Sequence, residues 1–277
     1  MITVVRYSSL GDVVLAASIT AALAPVAFLT EPRYHDLVRR FPGVERVLSP
    51  GDAPVGRVID LHHNLRSLRV RADARVQRQD VRRHARVWFK SSPADPVILR
   101  YARVAGVLPS ALPWLRAVKR GNTLLIAPGA AHATKRWPHW IDLARRWDGP
   151  VRALGSPNDV DAVRAIEAAT GGCGVVEEGF ERTLDGMEGG AVLVAGDTGL
   201  LHLGAAVGLP VVGLFGPTTS TDGFFSYGGT AVELPMFCRP CSRFGGAICP
   251  IGDHACLRDL PVERVLLACQ TAALRSR

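Results

Sequence analysis

An acid and a threonine between glycines, Gly196-Asp197-Thr198-Gly199, separate apolar runs in the stretch VLVAGDTGLLHLGAAVGLPVVGLFGP, Val192 to Pro217. Val192 to Ala195 has the length of a buried strand. Leu200 to Val207 reads as a helix stopped by Gly208 and Pro210, and Val211 to Phe215 as a second buried strand. Strand, turn, helix, strand is the wiring of a parallel sheet, where the turn at a strand's carboxyl end faces a ligand crevice. A helix that starts at such a turn presents free N–H groups and the positive end of its dipole, a seat for phosphate. His202 lies one turn further along the same face. A carboxylate would repel a phosphate, so Asp197 is expected to face sugar hydroxyls, with the amides and His202 facing phosphates. A plain helix cap is the other reading of Asp197, and this stretch alone leaves both open.

Two further places carry comparable chemistry. Ile2 to Tyr7 is an apolar-rich strand feeding Ser8-Ser9-Leu10-Gly11-Asp12 and then a helix, Val13 to Leu23. Asp12 is either a first-turn acid of that helix or a general base at the mouth of a cleft. The turn lacks a three-glycine fingerprint, so a nicotinamide site is poorly supported. Farther on, the strand TLLIA (Thr123 to Ala127) enters Pro128-Gly129-Ala130-Ala131-His132-Ala133-Thr134-Lys135-Arg136-Trp137-Pro138. Small residues there let backbone approach a ligand, and Lys135 supplies a point charge for phosphate; a surface lysine is the plainer alternative. After the next strand, Val151 to Gly155, Asp159 and Asp161 either take ribose hydroxyls or favour the start of the helix Val160 to Ala169.

The elements that must position these groups read as two strand-and-helix halves. At 277 residues with 48% hydrophobic content, the chain suits two folded domains. Short strands are expected at Val26 to Thr30, Val44 to Leu48 and Val58 to Leu61, with helices at Tyr34 to Arg40 and Tyr101 to Val107. Phe180 to Glu188 reads as a short helical piece, Pro261 to Leu274 as a terminal helix, and the Pro109 to Asn122 stretch as the connection. No signal peptide is read at the start and no apolar run reaches the roughly 18 residues of a spanning helix, so the expected compartment is the cytoplasm.

The net charge of +8 points to an anionic partner. Arg66, Arg69, Arg71, Arg75, Arg78, Arg82, Arg83, Arg86 and Lys90 face only Asp73 and Asp80 over their stretch, which makes a solvated face or an anion-binding one. Aromatic residues are scarce there and no nucleic-acid motif occurs, so nucleic acid is not expected. Cys238, Cys241, Cys249 and Cys256 include one Cys-x-x-Cys pair without zinc-ribbon spacing. A metal held together with His254, a disulfide and unbonded thiols all stay open, and no metal site is assigned. Cys173 and Cys269 read as core thiols.

VVRYSSLGDVVLA, DLHHNLRS, PGAAHATKRWP, AGDTGLLHLGAAVGLPVVGLFGPT and CRPCSRFGGAICPIGDHACLRDLPVERV together resemble the heptosyltransferases of glycosyltransferase family 9, nearly end to end. The resemblance implies an α/β GT-B fold, two Rossmann-like domains with parallel sheets facing a central cleft. The expected division is 1–120 for the acceptor, 121–262 for the nucleotide sugar, and a terminal helix over 263–277 that can pack back on the first domain. It implies an inverting, metal-independent transfer from ADP-L-glycero-D-manno-heptose to a lipopolysaccharide core hydroxyl, with no cofactor. By motif position Asp12 is similar to the general base and Lys135 to the donor-phosphate lysine. The donor pocket would comprise Gly11, Gly129, Lys135, Asp159, Asp197, Thr198, Gly199 and His202. Ser9, Asn64, Arg66 and Arg69 are the acceptor-side candidates, and the basic run would suit phosphorylated Kdo–lipid A at the inner membrane, which the protein would touch peripherally. Ala130 and Ala131 stand where relatives often carry phosphate-binding hydroxyls. Competing expectations are a transferase of the same fold using another nucleotide sugar, for O-antigen or capsule, and a non-catalytic sugar-nucleotide binder.

Overall fold

In a computed structural model, residues 1–76, 87–89, 94–177, 179–225 and 227–275 are described. The first half runs β1 (Ile2–Val5), α1 (Leu10–Thr20), β2 (Val26–Leu29), α2 (His35–Val38), β3 (Val44–Leu48), β4 (Arg57–Asp60), β5 (Ala74–Arg75) and α3 (Val97–Ala105). The second runs β6 (Thr123–Ala127), α4 (Trp140–Arg146), β7 (Val151–Gly155), α5 (Val160–Thr170), β8 (Cys173–Val176), α6 (Glu181–Gly186), β9 (Gly190–Gly196), α7 (Gly199–Ala206), β10 (Val211–Phe215), β11 (Thr230–Glu233), α8 (Ala255–Arg258) and α9 (Val262–Leu274).

Every strand pairing is parallel, and the sheets have the orders β3-β2-β1-β4-β5 and β11-β10-β9-β6-β7-β8. Both are Rossmann orders, reversing direction between β1 and β4 in one and between β6 and β9 in the other. Helices on both faces explain why β6, β9 and β10 are buried along their whole length and read as continuous apolar runs.

The halves meet through α1 and α7. In α1, Val13 to Thr20 are all buried, which a helix with only one covered face would not need. One hydrophobic cluster runs from Val4, Phe28 and Ile59 of the first sheet through Leu15 and Leu203 to Leu125 and Leu193 of the second. The connecting segment is laced to both helices: the Ser110 amide donates to the Ser18 carbonyl, and those of Leu115 and Val118 to Ala206 and Val207.

Some expectations shift. The helix expected over Tyr101 to Val107 spans Val97–Ala105, entered from Pro96 and closed at Gly106 with φ +74°. Edge strands β5 and β11 have no sequence expectation behind them, being too short and too exposed for a periodic pattern. Among the described residues, the terminal helix packs on the second domain. Its stripe of Val262, Val265, Cys269 and Ala272 joins Leu124, Val192 and Val212 on the second sheet's outer face, and Glu263 pairs with Arg146 of α4. The reason is burial: this face of the second sheet is apolar and lies opposite the one α7 covers.

Candidate active site between two helix beginnings

At the start of α1 the chain enters in extended geometry through Ser9, whose hydroxyl donates to Asp12 Oδ2 at 2.9 Å. Asp12 Oδ1 receives the Arg6 guanidinium at 2.6 Å and the Tyr101 hydroxyl at 3.2 Å. Arg6 comes from the end of β1 and is anchored by donation to the Leu61 carbonyl at 2.6 Å. A carboxylate and a guanidinium at this distance form a charge-assisted pair.

At the start of α7, Asp197 leaves β9 fully engaged. Its Oδ2 accepts from Lys135 Nζ at 2.6 Å and from Thr218 Oγ1 at 2.8 Å, and Lys135 also donates to the Asp197 carbonyl at 2.9 Å. Burial works against the charged form, but Lys135, His202 and Thr218 together keep the Asp197 carboxyl below its ordinary pKa. Lys135 is therefore held over the helix start by the acid beside it. His202 is buried, its Nδ1 2.8 Å from the Tyr227 hydroxyl. Burial pushes the imidazole down to about 4, against the pull of Asp197 and Asp12. The expectation that His202 faces phosphates is narrowed accordingly: at neutral pH it is an uncharged ring in the wall, with no positive charge to offer.

Two glycines bring the helix starts together. A Cβ on Gly11 would lie 2.5 Å from His202 Cδ2, and one on Gly199 would lie 2.6 Å from Leu10 side-chain carbons. The result is a pocket of about 110 Å³ shared by Ser9, Gly11, Asp12, Lys135, Asp197, Thr198, Gly199 and His202, with Asp222, Phe224, Arg243 and Phe244 completing it. Lys135, Asp197, Thr198 and Gly199 also wall a larger cleft of about 810 Å³ at the carboxyl ends of β6 to β9. Gly129, Ala130, Ala131, Asp159 and Glu177 line it on one side, and Arg33 and Tyr34 face them from the first domain. Asp159 commits Oδ2 to the Ser156 amide (3.0 Å) and hydroxyl (2.6 Å), so it caps the helical start as well as lining the cleft.

The remaining candidates are not brought into these cavities. The loop after β4 is built on buried Asp60, whose oxygens accept from the His62 and His63 amides and the Ser67 hydroxyl. Asn64 Oδ1 accepts from the Arg66 and Ser67 amides at 3.0 Å each, so it shapes the turn. Arg66 pairs with Glu31 at 2.6 Å and lies over the Tyr7 ring, while Arg69 is exposed. Arg78, Arg82, Arg83, Arg86 and Lys90 of the basic run lie outside the described residues.

The cysteine-bearing segment is a wall of the small pocket. The Thr134 hydroxyl donates to the Gly246 carbonyl at 3.0 Å and accepts from its amide at 2.8 Å, next to Lys135. The His254 ring bonds the Thr134 carbonyl at 2.7 Å. This clasp presents Arg243 and Phe244 to the pocket, a role that cysteine spacing alone does not suggest. Among the described residues, no group of three or more His, Cys, Asp or Glu side chains is placed to hold a metal.

Two Rossmann sheets whose strand-end turns face each other across a cleft define the GT-B class of fold. The profile described as glycosyltransferase family 9 (heptosyltransferase) matches residues 110–225. The chain is 33% identical over 158 residues to lipopolysaccharide heptosyltransferase 1 of Pseudomonas aeruginosa, covering 52% of this chain and 42% of that protein. It is 32% identical over 77 residues to lipooligosaccharide heptosyltransferase 2 of Campylobacter jejuni, covering 27% of this chain and 23% of that protein. The matched stretches thus span less than half the length of these curated relatives. The fold is similar to that of the E. coli ADP-heptose lps heptosyltransferase II structure, with a TM-score of 0.71 and 21% identity over 99% of both chains. The chain is thus similar to glycosyltransferase family 9 over residues 110–225, and its fold is that of a heptosyltransferase structure along nearly its whole length.

Proposed function

We propose that the protein is an inverting, metal-independent glycosyltransferase that moves heptose from ADP-L-glycero-D-manno-heptose to a hydroxyl of a lipopolysaccharide core acceptor. One observation carries this reading: Asp12 and the Lys135–Asp197 pair, from different sheets, line one small pocket that shares a wall with a nucleotide-sized cleft. The names of the relatives supply the donor and the pathway; the geometry supplies a mechanism consistent with them.

The nucleotide occupies the larger cleft, against Gly129, Asp159 and Glu177, with its diphosphate at the start of α7. The acceptor hydroxyl comes in beside Asp12. Its oxygen bonds to the anomeric carbon as the bond from that carbon to the phosphate oxygen breaks, and its proton passes to Asp12 Oδ2, the oxygen not held by Arg6. ADP leaves with the electron pair of the broken bond. Attack on one face and departure from the other in a single displacement inverts the anomeric centre. Lys135 and the free amides of α7 meet the charge that gathers on the diphosphate. A carboxylate ion-paired to arginine is a weak base, which suits a proton that becomes acidic only as its oxygen bonds to the sugar. Ser9 is placed to exchange its hydrogen bond from Asp12 to the acceptor. Asn64, Arg66 and Arg69 act on an anionic lipid A–core acceptor through the loop they shape. The expected surroundings are the cytoplasm and the inner face of the membrane; among the described residues no helix is long and apolar enough to cross one.

Ala130 and Ala131 in the cleft wall favour a second reading, a different nucleotide sugar for O-antigen or capsule. A panel of ADP, UDP and GDP sugars, read by thermal shift and by mass detection of the released nucleotide, separates the readings. ADP-heptose is expected to give both stabilisation and turnover with a core acceptor. Turnover with a UDP or GDP sugar alone would transfer the assignment to the second reading, and tight binding without turnover would leave a sugar-nucleotide binder.

A further inference from the structure

Tyr101 lies 89 residues from Asp12 in sequence, is buried, and donates its hydroxyl to Asp12 Oδ1 at 3.2 Å. We infer that Tyr101 is a positioning residue for the base: with Arg6 it fixes Oδ1 and so sets the orientation in which the carboxylate meets the acceptor hydroxyl. This rests on Asp12 being the base.

Two features support it. Burial raises the Tyr101 phenol well above its ordinary pKa, so the hydroxyl stays a donor across the working range. The helix that carries it is also tied to the donor-side domain. The Ala94 amide donates to the Thr221 carbonyl at 2.9 Å, and the Val97 amide to the Gly223 carbonyl at 2.8 Å. That strap leaves β10 through Thr218, which itself donates to Asp197. The base is thus oriented by an arginine from its own sheet and by a tyrosine whose helix starts on the opposite domain. A single buried arginine can pivot with its carboxylate; a second donor from another direction stops that rotation.

Among the described residues, the charged and titratable groups facing Asp12 include Arg6 from β1, Tyr101 from α3 and His202 from α7, with His62 and Tyr34 of the first domain acting on it as well. Lys135, Asp222 and Arg243 stand across the pocket. Tyr101→Phe changes none of these charges. It removes a hydrogen bond that favours the ionised carboxylate, so the base titrates at higher pH.

The experiment measures kcat and kcat/KM against pH for wild type, Tyr101→Phe and Asp12→Asn, with ADP binding by thermal shift. For Tyr101→Phe the expected result is a loss of about tenfold in kcat, an unchanged donor KM, and an acid limb moved to higher pH. An acid limb that coincides with wild type would overturn the inference, whatever happens to Tm. Substantial turnover by Asp12→Asn would instead overturn the base assignment itself. Should Tyr101→Phe fail to fold, 3-fluorotyrosine at position 101 keeps the size and strengthens the donor; the acid limb then moves to lower pH, and no movement would sink the inference.

Discussion

Two carboxylates stand at two helix beginnings, and they are held differently. Asp197 has its own cation: Lys135 and Thr218 converge on one oxygen, and the pair closes on itself at 2.6 Å. Asp12 is gripped by Arg6 and Tyr101 on Oδ1, while Oδ2 carries the hydroxyl of Ser9, a partner that can turn away without leaving a buried charge behind. The same local motif, strand, turn and helix, therefore yields an acid that fixes a lysine in one half and an acid gripped by an arginine and a tyrosine in the other. What separates them is the tertiary neighbourhood of each turn, since both turns are short, glycine-containing and acidic.

The sharpest way to break this contrast is to neutralise each acid in turn. Asp12→Asn keeps the shape and removes the proposed base; kcat is expected to fall about 10³-fold while ADP affinity stays within a few-fold. Steady-state ADP release and thermal shift measure the two. Next in size, Lys135→Met is expected to cost about 10²-fold in kcat/KM and to lower Tm, because Asp197 is left charged and nearly buried. Adding Asp197→Asn to that variant should recover Tm and leave activity low. Recovery of activity as well would mean that Lys135 serves Asp197 alone.

A last expected effect, on stability and not on rate, concerns the wall between the acids. His202 titrates at about 4 in the fold against 6.5 when unperturbed. Between those pH values the unfolded chain binds a proton that the native chain does not, so stability falls as pH falls from 6.5 to 4. The expected loss is about 3 kcal/mol. His202→Gln should flatten denaturant midpoints across this window, less a share from His62, which is also lowered to about 4 and is less buried. Midpoints that keep their full slope in His202→Gln would show that the ring is protonated in the fold.

The units around Asp12 and Asp197 were legible in the sequence because each compresses strand, turn and helix into about twenty residues with glycine and proline at the breaks. Lys135 was legible for the same reason, since it follows a buried strand and a run of small residues. The partners that define what these groups do were not. Tyr101 reaches Asp12 across 89 positions and Thr218 reaches Asp197 across 21, and no periodic pattern encodes such pairings. Arg6 left one trace, a charge closing an otherwise apolar strand. The neutrality of His202 depends on its enclosure between two helices, which spacing along one of them does not reveal. The terminal helix had a readable apolar stripe, but the stripe does not say which sheet it will cover.

The glycine contact between α1 and α7 has a mechanical meaning. Gly11 against His202 and Gly199 against Leu10 place a close approach of the two halves beside the small pocket itself, with the 810 Å³ cleft extending away from it. A rocking motion that preserves this fulcrum opens the outer cleft widely and changes the spacing of Asp12 and Lys135 little. On the proposed function, such a swing would let nucleotide in and out of the outer cleft while the span between Asp12 and Lys135 stays nearly constant.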